Sequence, residues 1–308
     1  MSEQAPLPTD LIPDPGMDPT DAPDWWLTKP DEIRAFLDSL DGVTVRELGR
    51  TAGDRPIIVA EWGEREDLPE RTSESLPSSI ASGQLESFYG TGEREKQHIL
   101  FLGAAHGTEW DGTVAAMHLL NILVHGTDLR GRKHPEMAER ARQYRWCVIP
   151  FQNVDGRQRL ADHRHWIGVD PDYFMALSQG VRHNGEIFHW PRMKAYFPVP
   201  KEEFAFMGSY FNDNGVNLVY DVCMGPDMQP ENVCLWRYAR EERPDLVILS
   251  HSNHGSLALP PAAYVPDNFR MRLFQLGACL GMRCKKEGYV KQNMTSRPVG
   301  YAGQLFYQ

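Results

Sequence analysis

His106 and Glu109 stand with two residues between them in His106-Gly107-Thr108-Glu109-Trp110, directly after the apolar run Ile99 to Ala105. The run is short and bounded by polar residues, which predicts a buried strand. The pair then falls at the strand's end, where loops carry chemistry. A neutral imidazole nitrogen and a hard carboxylate oxygen together suit zinc in a hydrolytic site. Taken alone, H-x-x-E is a weak signal and equally describes a polar loop whose groups satisfy one another.

The chain offers a third ligand. Asp245 to Ser250 is another apolar strand signal, and it runs directly into His251. Sites in open α/β sheets form at the carboxyl ends of strands, so His251 can meet His106 and Glu109 despite the long separation in sequence. Three protein ligands and one open position describe a catalytic zinc rather than a closed structural one.

The elements that would position these residues follow from periodicity. Pro30 opens a helix with Thr28 as its N-cap and Ile33, Phe36, Leu37 and Leu40 as its apolar stripe. Strands are predicted over 43–48, 56–60 and 146–150, and helices over 113–124, 135–144, 230–242 and 268–286. Glu64 to Gln97 reads as a polar surface excursion. Asn153-Val154-Asp155-Gly156 reads as a turn that shapes a strand exit. Residues 157–214 form a long, weakly periodic insert, expected to be a rim or lid. Strands alternating with helices predict an α/β fold, with a central mixed, largely parallel sheet sandwiched between helices.

Composition bounds the partners. The 308 residues suffice for a large α/β domain, and 41% of them are hydrophobic. The net charge of −10, from 32 basic and 42 acidic residues, argues against nucleic acid or an anionic membrane as partner. No apolar run approaches the ~18 residues of a membrane span. Residues 1–27 are expected to be a flexible arm, and Met1 to Asp24 lacks the pattern of a secretory signal. Cys147, Cys223, Cys234, Cys279 and Cys284 are scattered without a C-x-x-C pair, as expected of buried, reduced thiols in a cytoplasmic protein.

The order of the pieces carries a resemblance. Gly103-x-x-His106-x-x-Glu109-Trp110 is followed by Pro150-x-x-Asn153-x-Asp155-Gly156, then Gly215-Val216-Asn217-Leu218, Pro230-Glu231 and Pro244 to Ser252. Upstream stand Val43 to Arg50 and Gly53-x-Arg55-Pro56-Ile57. Over residues 28–308 this set resembles the zinc carboxypeptidases, the M14 metallopeptidases related to carboxypeptidase A. The resemblance implies a zinc (Zn2+) held by His106, Glu109 and His251. It also implies attack of a zinc-activated water on an amide or peptide bond. Asn217 stands where the family has an Asp orienting the first zinc histidine.

The departures are equally specific. Val219 and Tyr220 stand where the family has the Asn and Arg that grip a substrate's terminal carboxylate, and Tyr cannot form an Arg's bidentate fork. Thr108 replaces a frequent Arg. Tyr220, Arg157, Arg164 and His254 are the candidate substrate-facing residues, with Arg159 in the same region. His163, His165, His183 and His189 are expected to be hydrogen-bonding or surface histidines. Trp25, Trp26, Trp166 and Trp190 are expected to pack. The family's general-base Glu follows a segment similar to Arg297 to Gly303, and no Glu follows Glu287. The general base is therefore expected to be absent from these residues, through truncation rather than loss. The expected activity is hydrolysis of a peptide or small amide. The alternatives are an amidase or deacylase on a small or modified substrate, and a catalytically dead binding protein that keeps the fold.

Overall fold

The structure is a computed structural model that describes residues 7–66, 81–83, 94–189, 196–221, 227–252, 258–259, 267–286 and 295–296. The expectations for most of 64–97, for Trp190, Cys223 and His254, and for the segment from Glu287 onward (apart from 295–296) fall outside these residues.

Helix α1 (Pro30–Asp38) leads into the hairpin β1 (Val43–Arg50) and β2 (Pro56–Trp62). Then come β3 (His98–Leu102), α2 (Asp111–His125), α3 (Pro135–Ala141), β4 (Arg145–Ile149) and the short α4 (Val154–Gln158). After α5 (Pro171–Gln179), strands β5 (Gly180–Arg182) and β6 (Phe204–Met207) form a separate antiparallel pair. Helix α6 (Pro230–Glu242) feeds β7 (Leu246–Leu249), and β8 (Ala258–Leu259), α7 (Asp267–Lys286) and β9 (Thr295–Ser296) follow.

The main sheet has the order β1-β2-β4-β3-β7. It is mixed: β1–β2 and β2–β4 are antiparallel, whereas β4–β3 and β3–β7 are parallel. Consecutive residues Cys147, Val148 and Ile149 of β4 are all fully buried. Successive side chains point to opposite faces, so the centre of the sheet is covered on both sides. Ile33 and Leu37 of α1, Met117 and Leu120 of α2 and Leu235 and Tyr238 of α6 share this core with the strands. Among the described residues, no helix is long and apolar enough to cross a membrane.

Five local expectations change. The N-cap of α1 is Lys29, with no side-chain cap, because Pro30 forces the preceding residue into extended backbone. Asn153 does not start a free turn; its side chain accepts the Gly156 N–H at 2.8 Å and caps α4. Residues 7–27 are not a loose arm. Ile12 is buried against Leu160, Tyr173 and Leu177, and the Pro19 carbonyl accepts the Arg164 N–H at 2.8 Å. The insert likewise has cores of its own, around Tyr173 and Leu177 and around Phe188, Phe204 and Phe211. Cys147, Cys234, Cys279 and Cys284 are unbonded, as expected, but only Cys147 is buried and Cys279 is exposed.

Candidate metal centre

The pairings Leu102↔Ile149 and Leu102↔Leu249 bring the carboxyl ends of β4, β3 and β7 to one edge. His106 and Glu109 emerge beyond β3, His251 beyond β7 and Asn153 beyond β4. The segment after β3 is held by main chain: Gly103 N–H donates to Ile149 O at 2.9 Å and Gly107 N–H to Ser209 O at 3.0 Å. A Cβ on Gly107 would lie 2.2 Å from the Gly156 carbonyl carbon, so only glycine permits this approach. Ala104, fully buried just before His106, holds a φ of 37°, a conformation that side-chain-bearing residues adopt rarely and mostly where function demands it.

His106, Glu109 and His251 converge. Their ligand atoms lie within 4.8 Å of one another. Glu109 Oε1 is 2.9 Å from His106 Nδ1, and Glu109 Oε2 is 2.7 Å from His251 Nδ1. The Glu109 side chain is 3% exposed and that of His251 21%, so the open side of the group lies at His251.

A chain of hydrogen bonds orients His106. Asn217 Oδ1 accepts the Val219 N–H at 3.1 Å, which identifies that atom as the amide oxygen. The same oxygen lies 3.3 Å from His106 Nε2, so Nε2 carries the proton. Nδ1 is buried and faces a carboxylate, with Glu109 Oε1 at 2.9 Å. The two atoms can share a cation, either a proton or a metal ion. Burial pushes the Glu109 carboxyl up, but the two imidazoles outweigh it and hold Glu109 well below the usual carboxylate range. Two nitrogens, a carboxylate oxygen and an oriented outer partner fit zinc.

Tyr210 is the site residue that the sequence did not disclose. Its hydroxyl donates to Glu109 Oε1 at 3.0 Å, and its ring stacks on His106 with centroids 3.9 Å apart. No local periodicity marks it; Gly208 and Ser209 just before it are the only hint of a close backbone approach.

The guanidiniums of the candidate arginines are engaged by groups of the protein itself. Arg157 is fully buried, its guanidinium donating to the carbonyls of Thr28, Ala161 and His163 and lying 4.3 Å from the centre of the Trp110 ring. Arg164 donates to Trp26 O at 2.9 Å and lies 3.5 Å from Glu32, while its own carbonyl accepts the indoles of Trp26 and Trp110. Arg159 binds the Gly208 and Phe211 carbonyls and Asp213. Backbone carbonyls supply acceptors that satisfy a guanidinium far from solvent. Tyr220 is half-buried one turn beyond Asn217, and Val219 is buried. His163 donates to or accepts from Tyr173 Oη at 2.8 Å, and burial pushes it down to about 4, so it is neutral.

A second acidic group, Glu61, Cys147 and Glu242, also meets the geometric requirement for a cation. Arg145 already occupies that role: its Nε donates to Glu242 Oε1 at 2.6 Å, and burial pushes the Cys147 thiol up to about 12.

Residues 33–170 match the zinc carboxypeptidase family. The matched stretch is just under half of the chain. It carries His106 and Glu109, while Asn217 and His251 complete the group from outside it. Thrombin activatable fibrinolysis inhibitor shares the zinc carboxypeptidase fold with a TM-score of 0.52 and 13% identity, over 94% of this chain and 66% of that chain. A metallo-carboxypeptidase from Burkholderia cenocepacia aligns at 16% identity over 77% of this chain and 45% of its own, with a TM-score of 0.44. One from Pseudomonas aeruginosa aligns at 12% over 90% of this chain and 54% of its own, with a TM-score of 0.48. This chain thus spans between 45% and 66% of the length of these three chains. No curated protein sequence matches it.

Proposed function

We propose that this protein is a zinc-dependent hydrolase that cleaves an amide or peptide bond. The observation that carries the reading is the convergence of His106, Glu109 and His251, with their ligand atoms within 4.8 Å of one another and both imidazoles facing the one buried carboxylate. Zinc bound there would lower the pKa of a water and polarise a carbonyl. His106, Glu109 and His251 would hold it, and Asn217 orients the His106 ring. Glu109 is committed as a ligand, so we assign no general base among the described residues.

The substrate is a peptide or a small amide. With Arg157, Arg159 and Arg164 engaged elsewhere and Val219 buried, no guanidinium among these candidates is available to fork onto a terminal carboxylate. An amidase or deacylase specificity is the alternative to removal of a C-terminal residue. The test is zinc content by elemental analysis, followed by hydrolysis of acylated amino acids and dipeptides. One zinc per chain with turnover of any member of the panel supports the reading. Zinc without turnover of any member supports the non-catalytic binding protein instead, and no zinc at all removes the reading.

A further inference from the structure

We propose that Tyr210 is a positioning residue for the metal ligands and that Arg159 holds it in place. The inference rests on the zinc reading above and goes beyond it. Tyr210 touches two of the three ligands by two different forces. Its hydroxyl donates to Glu109 Oε1 at 3.0 Å, which fixes the rotation of the carboxylate. Its ring lies 6° from parallel with His106, which fixes the imidazole plane from the face that Asn217 does not control.

The backbone on either side of Tyr210 is gripped. Arg159 Nη1 donates to Gly208 O at 3.0 Å and to Phe211 O at 2.6 Å, so one nitrogen brackets the residue. Arg159 Nη2 donates to Asp213 Oδ1 at 2.6 Å. Asp213 is tied in turn to Arg55 Nη1 at 2.6 Å, and its N–H donates to Asp155 Oδ2 at 3.0 Å. The Tyr210 N–H donates to Ser178 O, and the Ser209 carbonyl accepts from Gly107 inside the ligand loop. A charged bracket therefore runs from Asp155 at the head of α4 to a phenol on the metal ligands. Outer groups that orient ligands in this way typically change metal affinity by ~10–100-fold when removed.

The experiment compares wild type, Tyr210→Phe, Tyr210→Leu and Arg159→Met, each stripped of metal. Zinc affinity is read by competition with a chelator, and ligand geometry by the visible absorption of the cobalt(II)-loaded protein. Tyr210→Phe keeps the stack and loses the hydroxyl. It should bind zinc roughly 10-fold more weakly and show an altered cobalt spectrum, with the unfolding midpoint of the metal-free protein unchanged. Tyr210→Leu should weaken zinc further, toward ~100-fold, and Arg159→Met should shift the cobalt spectrum in the same sense. Tyr210→Phe and Tyr210→Leu variants that match wild type in affinity and spectrum would overturn the inference while leaving the zinc site intact. A wild type that binds neither zinc nor cobalt would overturn the zinc reading itself, and this inference with it.

Discussion

The Nδ1 of His251 lies 2.7 Å from Oε2 of Glu109, although 142 positions of chain separate the two residues. The contact exists because β3 and β7 are adjacent and parallel, so whatever follows each strand arrives at the same edge. Replacing Glu109 by Ala removes the oxygen that both imidazoles face. Elemental analysis of Glu109→Ala and His251→Ala should find the stoichiometric zinc lost. Full retention of zinc by Glu109→Ala would exclude Glu109 as a ligand.

Asn217 offers a graded test of the same centre. It orients His106 through a neutral oxygen at 3.3 Å. A carboxylate there would accept the same proton and make Nδ1 more basic. Asn217→Asp should therefore tighten zinc by roughly tenfold, and Asn217→Leu should weaken it by ~10–100-fold, both measured by chelator competition. An unchanged affinity in both variants would separate Asn217 from the metal.

Substrate preference follows from the engaged arginines. Peptides with free and with amidated C-termini should show kcat/KM values within a few-fold of each other. A bidentate Arg on the carboxylate would give a far larger gap, since such charge-assisted pairs are the strong polar contacts. A large preference for the free acid would mean that a guanidinium reaches the site.

Glu231 sets an unusual pH dependence of stability. Burial raises its carboxyl from an ordinary 4.5 to about 7, with Asp155 adding to the shift and hydrogen bonds from Ala52 N–H and Asn212 opposing it. The folded state thus binds this proton more tightly than the unfolded state. The stabilisation is complete below about 4.5 and is lost as pH rises through about 7. Its full size is on the order of 3 kcal/mol. Urea unfolding at pH 5 and pH 8 should show this loss in wild type and a smaller one in Glu231→Gln. Identical pH profiles in the two proteins would show that Glu231 titrates normally.

Gly107→Ala tests the packing that presents the ligands. The added Cβ would meet the Gly156 carbonyl carbon at 2.2 Å and the Arg157 nitrogen at 2.4 Å. Both are main-chain atoms and cannot rotate away. The expected cost is about 1–3 kcal/mol or more in unfolding free energy, together with weakened zinc. Gly83→Ala is the control for conformational strain without a clash: its φ is 70°, and nothing lies within 4 Å of the new Cβ. It should leave zinc affinity unchanged.

What the sequence disclosed and what it hid divide along a physical line. Apolar runs ending in His106 and His251 were legible because a buried strand must be apolar and its end must not be. Helix α6 was read at its true bounds because Pro230 opens it and its apolar spacing is regular. Asn217 was legible only through the ordered set of motifs. Hidden features depend on contacts between distant segments. The arm at Ile12 and the insert at Leu177 look structureless apart because each supplies half of one small core. Arg157 was a candidate substrate-facing residue, and its burial was hidden because its acceptors are carbonyls, which have no signature in sequence. Tyr210 reaches the centre through Ser209, whose carbonyl meets Gly107 and Asn153, and nothing in its own neighbourhood announces that.

The meeting of Gly107, Gly156 and Ser209 through main-chain atoms has a consequence for how this scaffold can change. The segment bearing His106 and Glu109 is braced by peptide groups, which substitution of neighbouring side chains leaves in place. Side chains around the site can therefore vary while the main-chain frame that presents the two ligands is inherited unaltered.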